Sequence, residues 1–519
     1  MSTNERLGSP LLRSGLTTIG GANVNPPPPA PPTATPAEVV ARRVQPTLHI
    51  QRISPQVRIT PQARCYAIFE LARRAGVSPE FQKQWSIRVD ARETTVTLDA
   101  SGEKTIVFPH ASPDLLRELS AGRIRTVRRR WMFAPKNASL LNVPDFIVPF
   151  AKDTDNFPKT LFVSRGSGKL ECTVDLPLSI LMTLTRWEET LKCELDSHGR
   201  FPAKNSVAVR EGFLHRPIVD EYGLAFQQAI QVCFPGREPQ QRNLRIKLSH
   251  DADHVGIPFR WKDAIRHTTH YHRPLDSVRD FFGSISRSAP SDLRALREIV
   301  SLSLSRNLDS AVYWKASQLT PRDSGYDPRH RKIRDTISWL TENQVESGVH
   351  PGYDTFRAPE KLRREIQILR EAIGDGPLGG RQHYLRWCPE TWIHWETCGL
   401  AYDSSVSFAE LVGFRAGTCV PYRPWLFTLN RTSELLEIPL LVMDRTLVNH
   451  MKLTHEQSVE AVRDCVARCR AVGGVFTLVW HNNHLLHPEF KRLYLKILPL
   501  LADGERYDWT REYREDSEK

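Results

Sequence analysis

Residues 244–256 read "LRIKLSHDADHVG". Leu244, Ile246 and Leu248 alternate with Arg245, Lys247 and Ser249, the period of a strand with one buried face. Where the alternation stops, His250, Asp251, Asp253 and His254 crowd together. Two carboxylates two residues apart repel, so such a strand end is favourable only in water or around a shared cation. Which of the two applies depends on what the rest of the chain brings to this place.

From residue 244 onward the order strand, loop, helix recurs. "PEKLRREIQILREAIG" places Pro359 at a helix start, Leu362, Ile366, Leu369 and Ile373 on one face, and Gly374 as the stop. "THEQSVEAVRDCVARCRAVGG" opens with a capping box from Thr454 to Gln457 and ends at Gly473 and Gly474. The apolar run "VFTLVW" then reads as a strand of a parallel sheet covered on both faces, and it ends at His481. Polar residues follow predicted strand ends repeatedly: Asp251, Asp253, His350 and His481, with His383 in "RQHYLRW". In barrels of alternating strands and helices such residues converge on the C-terminal face, so the spacing fits one site built from four distant segments.

Length and composition set the frame. A chain of 519 residues exceeds one ordinary core, and about two to three domains are expected. "NVNPPPPAPPTATPAE" carries seven prolines within 26–36 and predicts a disordered tether. Between about 60 and 240 strand-like "TTVTLDA" and "KTIVF" mix with helical "PLSILMTLTRWEETL", and Pro235-Gly236 marks a boundary. The expected domains are a basic, proline-rich tail at 1–58, an α+β accessory domain at 59–240, a barrel at 241–505 and a charged tail at 506–519.

No run of about 18 apolar residues occurs, so no membrane-spanning helix is expected. "MSTNERLGSPLLRSG" lacks the apolar stretch of a secretory signal, which makes the cytoplasm the expected location. Nine cysteines form no C-x-x-C pair, and the odd count suits reduced thiols; Cys465 and Cys469 are expected to pack in a core. The net charge of +12 comes in part from residues 1–65, where seven Arg face two Glu, and in part from "GRIRTVRRRW" at 122–131. That run reads as a solvated face, or as a patch for an acidic glycan or an anionic surface. No finger, P-loop or ribonucleoprotein motif accompanies it, so nucleic acid is not the expected partner.

Two carboxylates and several histidines at strand ends are what a divalent metal with a hydrolytic water requires. "HDADH" by itself also fits a solvated or salt-bridged end. "ESGVHPGYDTF" adds His350 in a Gly/Pro loop, with Asp354 behind it. Arg381, Arg386 and Arg415 can make structural pairs or hold a catalytic base, with Asp403 and Asp444 as candidate partners. In "TLVWHNNHLLH" only His481 directly follows a strand, so His484 and His487 are expected to be solvated.

Taken in order, "LSHDADH", "GVHPGY", "RQHYLRW", "YDSS", "GFRAGT", "LEIP" and "VWHNN" resemble the motifs of the polysaccharide deacetylase superfamily, carbohydrate esterase family 4. The likeness is to its bacterial surface-polysaccharide branch, with an "LTHDVD"-type first motif. "LTRWEE", "DSHGRFPAKNS" and "RPIVDEYG" are similar to the domain that often precedes the deacetylase there, so the resemblance runs from about 170 to 487. It implies an α/β fold, a distorted (β/α) barrel of about seven strands, with one divalent metal, zinc foremost. It also implies an enzyme, a hydrolase that removes N- or O-acetyl groups from a sugar or polysaccharide precursor.

Carried onto this chain, the resemblance makes Asp251 the general base, His481 the general acid, and Asp253 and His350 metal ligands. The third ligand is His383, with Asp354 the runner-up, and Arg386 or Arg415 is expected to hold the base. Two departures stand out. Ala252 separates two Asp that are adjacent in better-known members, so base and ligand can be exchanged, and Asp354 stands where the second motif usually has a second His. A glycan-binding protein without catalysis is the alternative, and a basic nucleic-acid-binding protein a weaker one.

Overall fold

The computed structural model describes residues 59–133, 144–152, 159–259, 261–285 and 288–515. The proline-rich stretch and the rest of the expected tail at 1–58 lie outside the described residues. All described residues belong to one compact unit, 52–519.

The organising element is a parallel sheet. Its strands run in the order Leu436–Glu437, Tyr402–Asp403, Gly379–Gly380, Glu346–Val349, Ser310–Trp314, Arg245–Asp251, Val475–Val479 and Val442–Met443, and Glu505–Arg506 pairs in addition with Arg245–Asp251. In the chain only Ile438–Leu441 separates the two edge strands. Such a link reaches at most about 17 Å, so the sheet curls until its edges approach each other. Thr477 in the penultimate strand pins this link: its Oγ1 donates to the Pro439 carbonyl at 2.6 Å and accepts from Leu441 N at 2.9 Å. The mixed α/β arrangement with a curled sheet fits the expected distorted barrel, with eight strands in the path rather than about seven.

The strand read as having one buried face is buried on both. Lys247, an expected solvent residue, pairs with Glu346 at 2.7 Å and lies over the Tyr402 ring. The reason is the curl, which covers the polar alternates as well as the apolar ones. The shortest inner strands are Gly379–Gly380 and Tyr402–Asp403, two residues each. A Cβ at Gly379 would stand 2.1 Å from the Tyr402 ring, and one at Gly380 1.8 Å from the Val349 carbonyl oxygen, so glycine is required where these strands close up.

Helix signals in the sequence hold. Pro359–Ile373 buries Leu362, Ile366 and Leu369 and stops at Gly374 with φ 88°. His455–Val472 has the expected Thr454/Gln457 capping box and ends at left-handed Gly473; Cys465 and Cys469 are buried in it. Thr454→Ala is expected to cost about 1 kcal/mol, read as a lower urea midpoint with unchanged slope. No helix among the described residues is long and apolar enough to cross a membrane.

Before the parallel sheet comes a five-stranded mixed sheet, in the order Ser86–Val89, Glu93–Thr97, Thr105–Pro109, Lys169–Cys172, Phe162–Ser164, with helices Pro61–Arg74, Leu176–Leu184 and Ile218–Cys233. Buried hydrogen bonds tie it to the second half: Arg74, paired with Asp220 at 2.8 Å within the first half, donates to Thr418 at 3.1 Å, and Asp220 accepts from Cys419 N at 2.8 Å. The basic run alternates in a strand, Thr126–Arg129. Arg128 is exposed and bonds Asp145 at 2.9 Å, whereas Arg129 is buried on Thr173 at 3.1 Å. The segment read as a charged tail at 506–519 is, through residue 515, packed structure: Tyr507 and Trp509 are buried beside Tyr402, and Trp509–Glu515 is helical.

Candidate metal and catalytic site

Because the strands are parallel, their C-terminal ends lie on one side, and residues just past them meet there. Asp253 comes two residues after its strand, His350 one after, His481 two after and Arg381 one after. Asp253, His350 and His481 line, with His383, a cavity of about 260 Å³ whose wall also includes Asp251, His198, Arg200, Lys315 and His450.

The histidines are aimed from behind. His350 Nδ1 lies 2.7 Å from the Arg381 carbonyl oxygen, so Nδ1 carries the proton and Nε2 presents a lone pair. His383 Nδ1 lies 2.7 Å from Asp323 Oδ1, with the same consequence. Both Nε2 atoms face Asp253 Oδ1, each at 3.3 Å. His350 Nε2 is buried without a hydrogen bond, and the charge nearest Asp253 Oδ1 is the Lys315 ammonium at 2.8 Å. Lone pairs turned on a carboxylate repel, unless a cation stands between them. Tetrahedral ligands about 2.0–2.1 Å from zinc are spaced about 3.3 Å apart, so the donor set fits such an ion. Asp354, the other candidate ligand, is exposed and 4.0 Å from Lys361.

Lys315, absent from the sequence-based site, enters the cluster. It follows the strand Ser310–Trp314, is buried, and places Nζ 2.8 Å from Asp253 Oδ1 and 2.9 Å from His383 Nε2. The signal for it was in the sequence: a lysine directly after the apolar run "AVYW". Asp323, which orients His383, had no comparable signal.

Asp251 sits apart from the histidine pair and accepts from Arg381 Nη1 at 2.8 Å. Burial opposes its charge, but the Arg381 guanidinium and neighbouring imidazoles hold the carboxyl below its usual range. Arg386 and Arg415, the expected holders of the base, are elsewhere. Arg386 donates to the His198 and Tyr353 carbonyls at 2.8 and 2.5 Å and lies over the Tyr353 ring. Arg415 is buried against Glu189, at 2.9 Å from Oε1, and the Ser407 carbonyl at 2.6 Å. Both clamp the two halves of the chain together.

Asp403 and Asp444 likewise hold other groups than arginines. Asp403 accepts from Ser405 N at 2.9 Å; the "YDSS" motif acts through Ser404, whose carbonyl and hydroxyl oxygens receive Arg381 at 3.0 and 3.2 Å. Asp444 accepts from both His481 Nδ1 at 2.8 Å and His484 Nδ1 at 2.7 Å. His484 is thus a half-buried partner of Asp444 rather than solvated, while His487 receives Glu489 N at 3.3 Å as a helix cap. Burial disfavours the His481 cation, but Asp444 outweighs it and lifts the imidazole to about 9. Its Nε2 points at Asp253 Oδ2, 3.6 Å away.

The accessory half completes the rim. Arg200 Nη1 donates to the Tyr384 carbonyl at 2.7 Å, and His198 packs on the Tyr384 ring at 4.8 Å. Tyr384 and Leu385 have φ of 60° and 52°, a left-handed pair of non-glycine residues that costs energy and is held in place from outside. "DSHGR" therefore braces the turn that presents His383.

Titration follows from burial. Burial lowers His250 and His254 to about 4, and burial together with the Lys315 cation lowers His383 to about 4. Unfolded, these imidazoles titrate near 6.5, so their contribution to stability is complete above that pH and is lost as pH falls towards 4. His481 has the opposite sign: its contribution is complete below the unfolded value and is lost as pH rises through 9. Urea unfolding in chelator is expected to give a maximum near pH ~6.5; a midpoint flat down to pH ~4 contradicts this assignment.

Comparisons with known proteins add the following. Residues 89–235 match a family described as "Family of unknown function (DUF7033)". No curated protein matches the chain. Among solved structures, one described as a polysaccharide deacetylase from Mycobacterium smegmatis is 16% identical, with 54% of this chain and 92% of that chain covered and a TM-score of 0.37. Another, from Bordetella bronchiseptica and described as involved in O-antigen biosynthesis, is 15% identical over 50% and 90%, at 0.28. PuuE allantoinase is 14% identical over 62% and 96%, at 0.37. At these values no function passes from one chain to the other.

Proposed function

We propose that this chain is a metal-dependent hydrolase that removes an acetyl group from a sugar or polysaccharide precursor. One observation carries the reading: Asp253 Oδ1 stands 3.3 Å from two imidazole Nε2 atoms whose outer nitrogens are anchored. Asp253, His350 and His383 would hold the ion, zinc foremost. When bound, it supplies Lewis-acid activation of water and of the acyl oxygen. The sugar class comes from the seven ordered motifs, and the cavity, about 260 Å³, lies near the lower end of small-molecule sites, about 300 Å³. That size suits one sugar unit rather than a long stretch of polymer.

Asp251, kept ionised by Arg381, accepts the proton of the attacking water; His481, kept protonated by Asp444, donates to the leaving nitrogen or oxygen. The two act from separate supports, so one can be basic while the other is acidic. Arg381 and Asp444 position and charge these groups without touching substrate.

Lys315 favours a second reading, a glycan-binding protein without catalysis, because its ammonium already satisfies Asp253. The discriminating experiment is acetate release from N- and O-acetylated sugars by the full chain supplied with zinc, cobalt or manganese. Release that chelator abolishes supports the hydrolase; metal bound at stoichiometry with no release from any substrate supports the silent reading.

A further inference from the structure

Residues 261–285 form two helices, Trp261–Thr269 and Pro274–Ile285, between the first and second strands of the parallel sheet. Of ten large apolar side chains exposed among the described residues, six are here: Trp261, Ile265, Leu275, Val278, Phe281 and Phe282. Trp261 stacks on Phe281 with ring centroids 6.2 Å apart, so part of the set is a continuous patch. Soluble surfaces seldom gather apolar residues in this way without a partner.

The hairpin's opposite side is anchored. Tyr271 is buried and its hydroxyl receives Asn483 Nδ2 at 2.8 Å. Asp280 is buried and accepts from Ser291 N at 2.9 Å, and Asp276 accepts from Arg294 at 3.2 Å. These two acids are therefore turned toward the body, while Lys262, Arg273 and Arg279 are exposed on the apolar side chains' own helices or the turn between them. An exposed tryptophan, phenylalanines and large aliphatics, with exposed Lys262, Arg273 and Arg279 beside them and Asp276 and Asp280 engaged by the body, are the composition of a helix that lies in the interface of an anionic bilayer.

We propose that this hairpin docks the protein on an anionic membrane surface, its apolar side chains entering the headgroup boundary. The inference goes beyond the hydrolase reading and does not need it. Arg266, on the first helix, lies 3.4 Å from His254 Nδ1 on the cavity wall, so docking here brings the cavity close to the membrane.

The test is co-sedimentation of the full chain with vesicles of phosphatidylcholine alone and of phosphatidylcholine with phosphatidylglycerol. Wild type is expected to pellet with the second, less in high salt. Leu275 and Phe282 are 82% and 63% exposed, so the double variant Leu275→Ser/Phe282→Ser should keep its melting curve and stay in the supernatant. Lys262→Glu/Arg279→Glu should lower partitioning into the anionic vesicles by roughly tenfold or more. No pelleting of wild type, equal pelleting with both vesicles, or unchanged pelleting of the variants overturns the proposal. So does a concentration-dependent dimer that Leu275→Ser/Phe282→Ser dissociates, which would make a second copy the occupant.

Discussion

Asp253→Asn is expected to lose metal, and Asp251→Asn is expected to keep it while turnover falls by roughly 10²- to 10⁴-fold. The two carboxylates are two residues apart, yet the structure gives them different neighbours. Asp253 faces two imidazole lone pairs, and an amide there is a poorer ligand. Affinity should drop by more than the roughly 10- to 100-fold seen when only an outer partner of a ligand is removed. Asp251 faces Arg381 and lies 3.9 Å from the nitrogen of His350 that is already bound to a carbonyl. Elemental analysis beside steady-state acetate release reads both effects. The exchange of roles that Ala252 raised from sequence predicts the reverse pattern. Full metal and full activity in both variants would leave the pair as a salt-bridged strand end, held by Arg381 and Lys315.

How much of this was legible in the sequence differs by element. Strand-end chemistry could be read because a parallel sheet puts every such residue on one side, so position along the chain is enough: Asp251, Asp253, His350 and His481 needed no distances. His383 follows a strand of only two residues, Gly379–Gly380, too short for any periodicity; it was noted as a polar residue in "RQHYLRW", and its role as a ligand came only from the resemblance. The arginines show where sequence runs out. Arg381, Arg386 and Arg415 have identical chemistry, and only the fold decides that one meets Asp251 while the others bind Glu189 and backbone carbonyls. Lys247 and Lys315 were passed over for another reason: even directly after an apolar run such as "AVYW", a lysine in or after a strand reads as solvated, and the curl of the sheet that buries both is a property of the closed arrangement, not of either segment. The bracing of Tyr384 by Arg200 joins residues 184 positions apart and left no local trace.

Lys315 leads to the sharpest expected result. His383 Nδ1 donates to Asp323, which leaves a single lone pair on Nε2, and Lys315 Nζ is 2.9 Å from it and 2.8 Å from Asp253 Oδ1. One lone pair cannot serve an ammonium and a metal ion together, and two cations a few ångströms apart repel by about 4 kcal/mol even at an effective dielectric of about 20. Lys315→Met removes the competitor while keeping the volume of the chain's apolar stem, so zinc affinity is expected to rise by roughly 100-fold. In chelator the same variant is expected to be less stable by about 3–5 kcal/mol, because a largely buried carboxylate loses its cation. Added zinc should restore stability, since a ligand of the native state alone stabilises it by mass action. Chelator competition with a chromophoric dye gives the affinity, and urea unfolding with and without zinc gives the stability. If Lys315→Met binds zinc more weakly than wild type, the lysine assists the site by holding Asp253 ionised rather than contesting it. If neither protein binds any first-row metal, the ammonium is the cation that "HDADH" was built around, and the hydrolase reading falls with it.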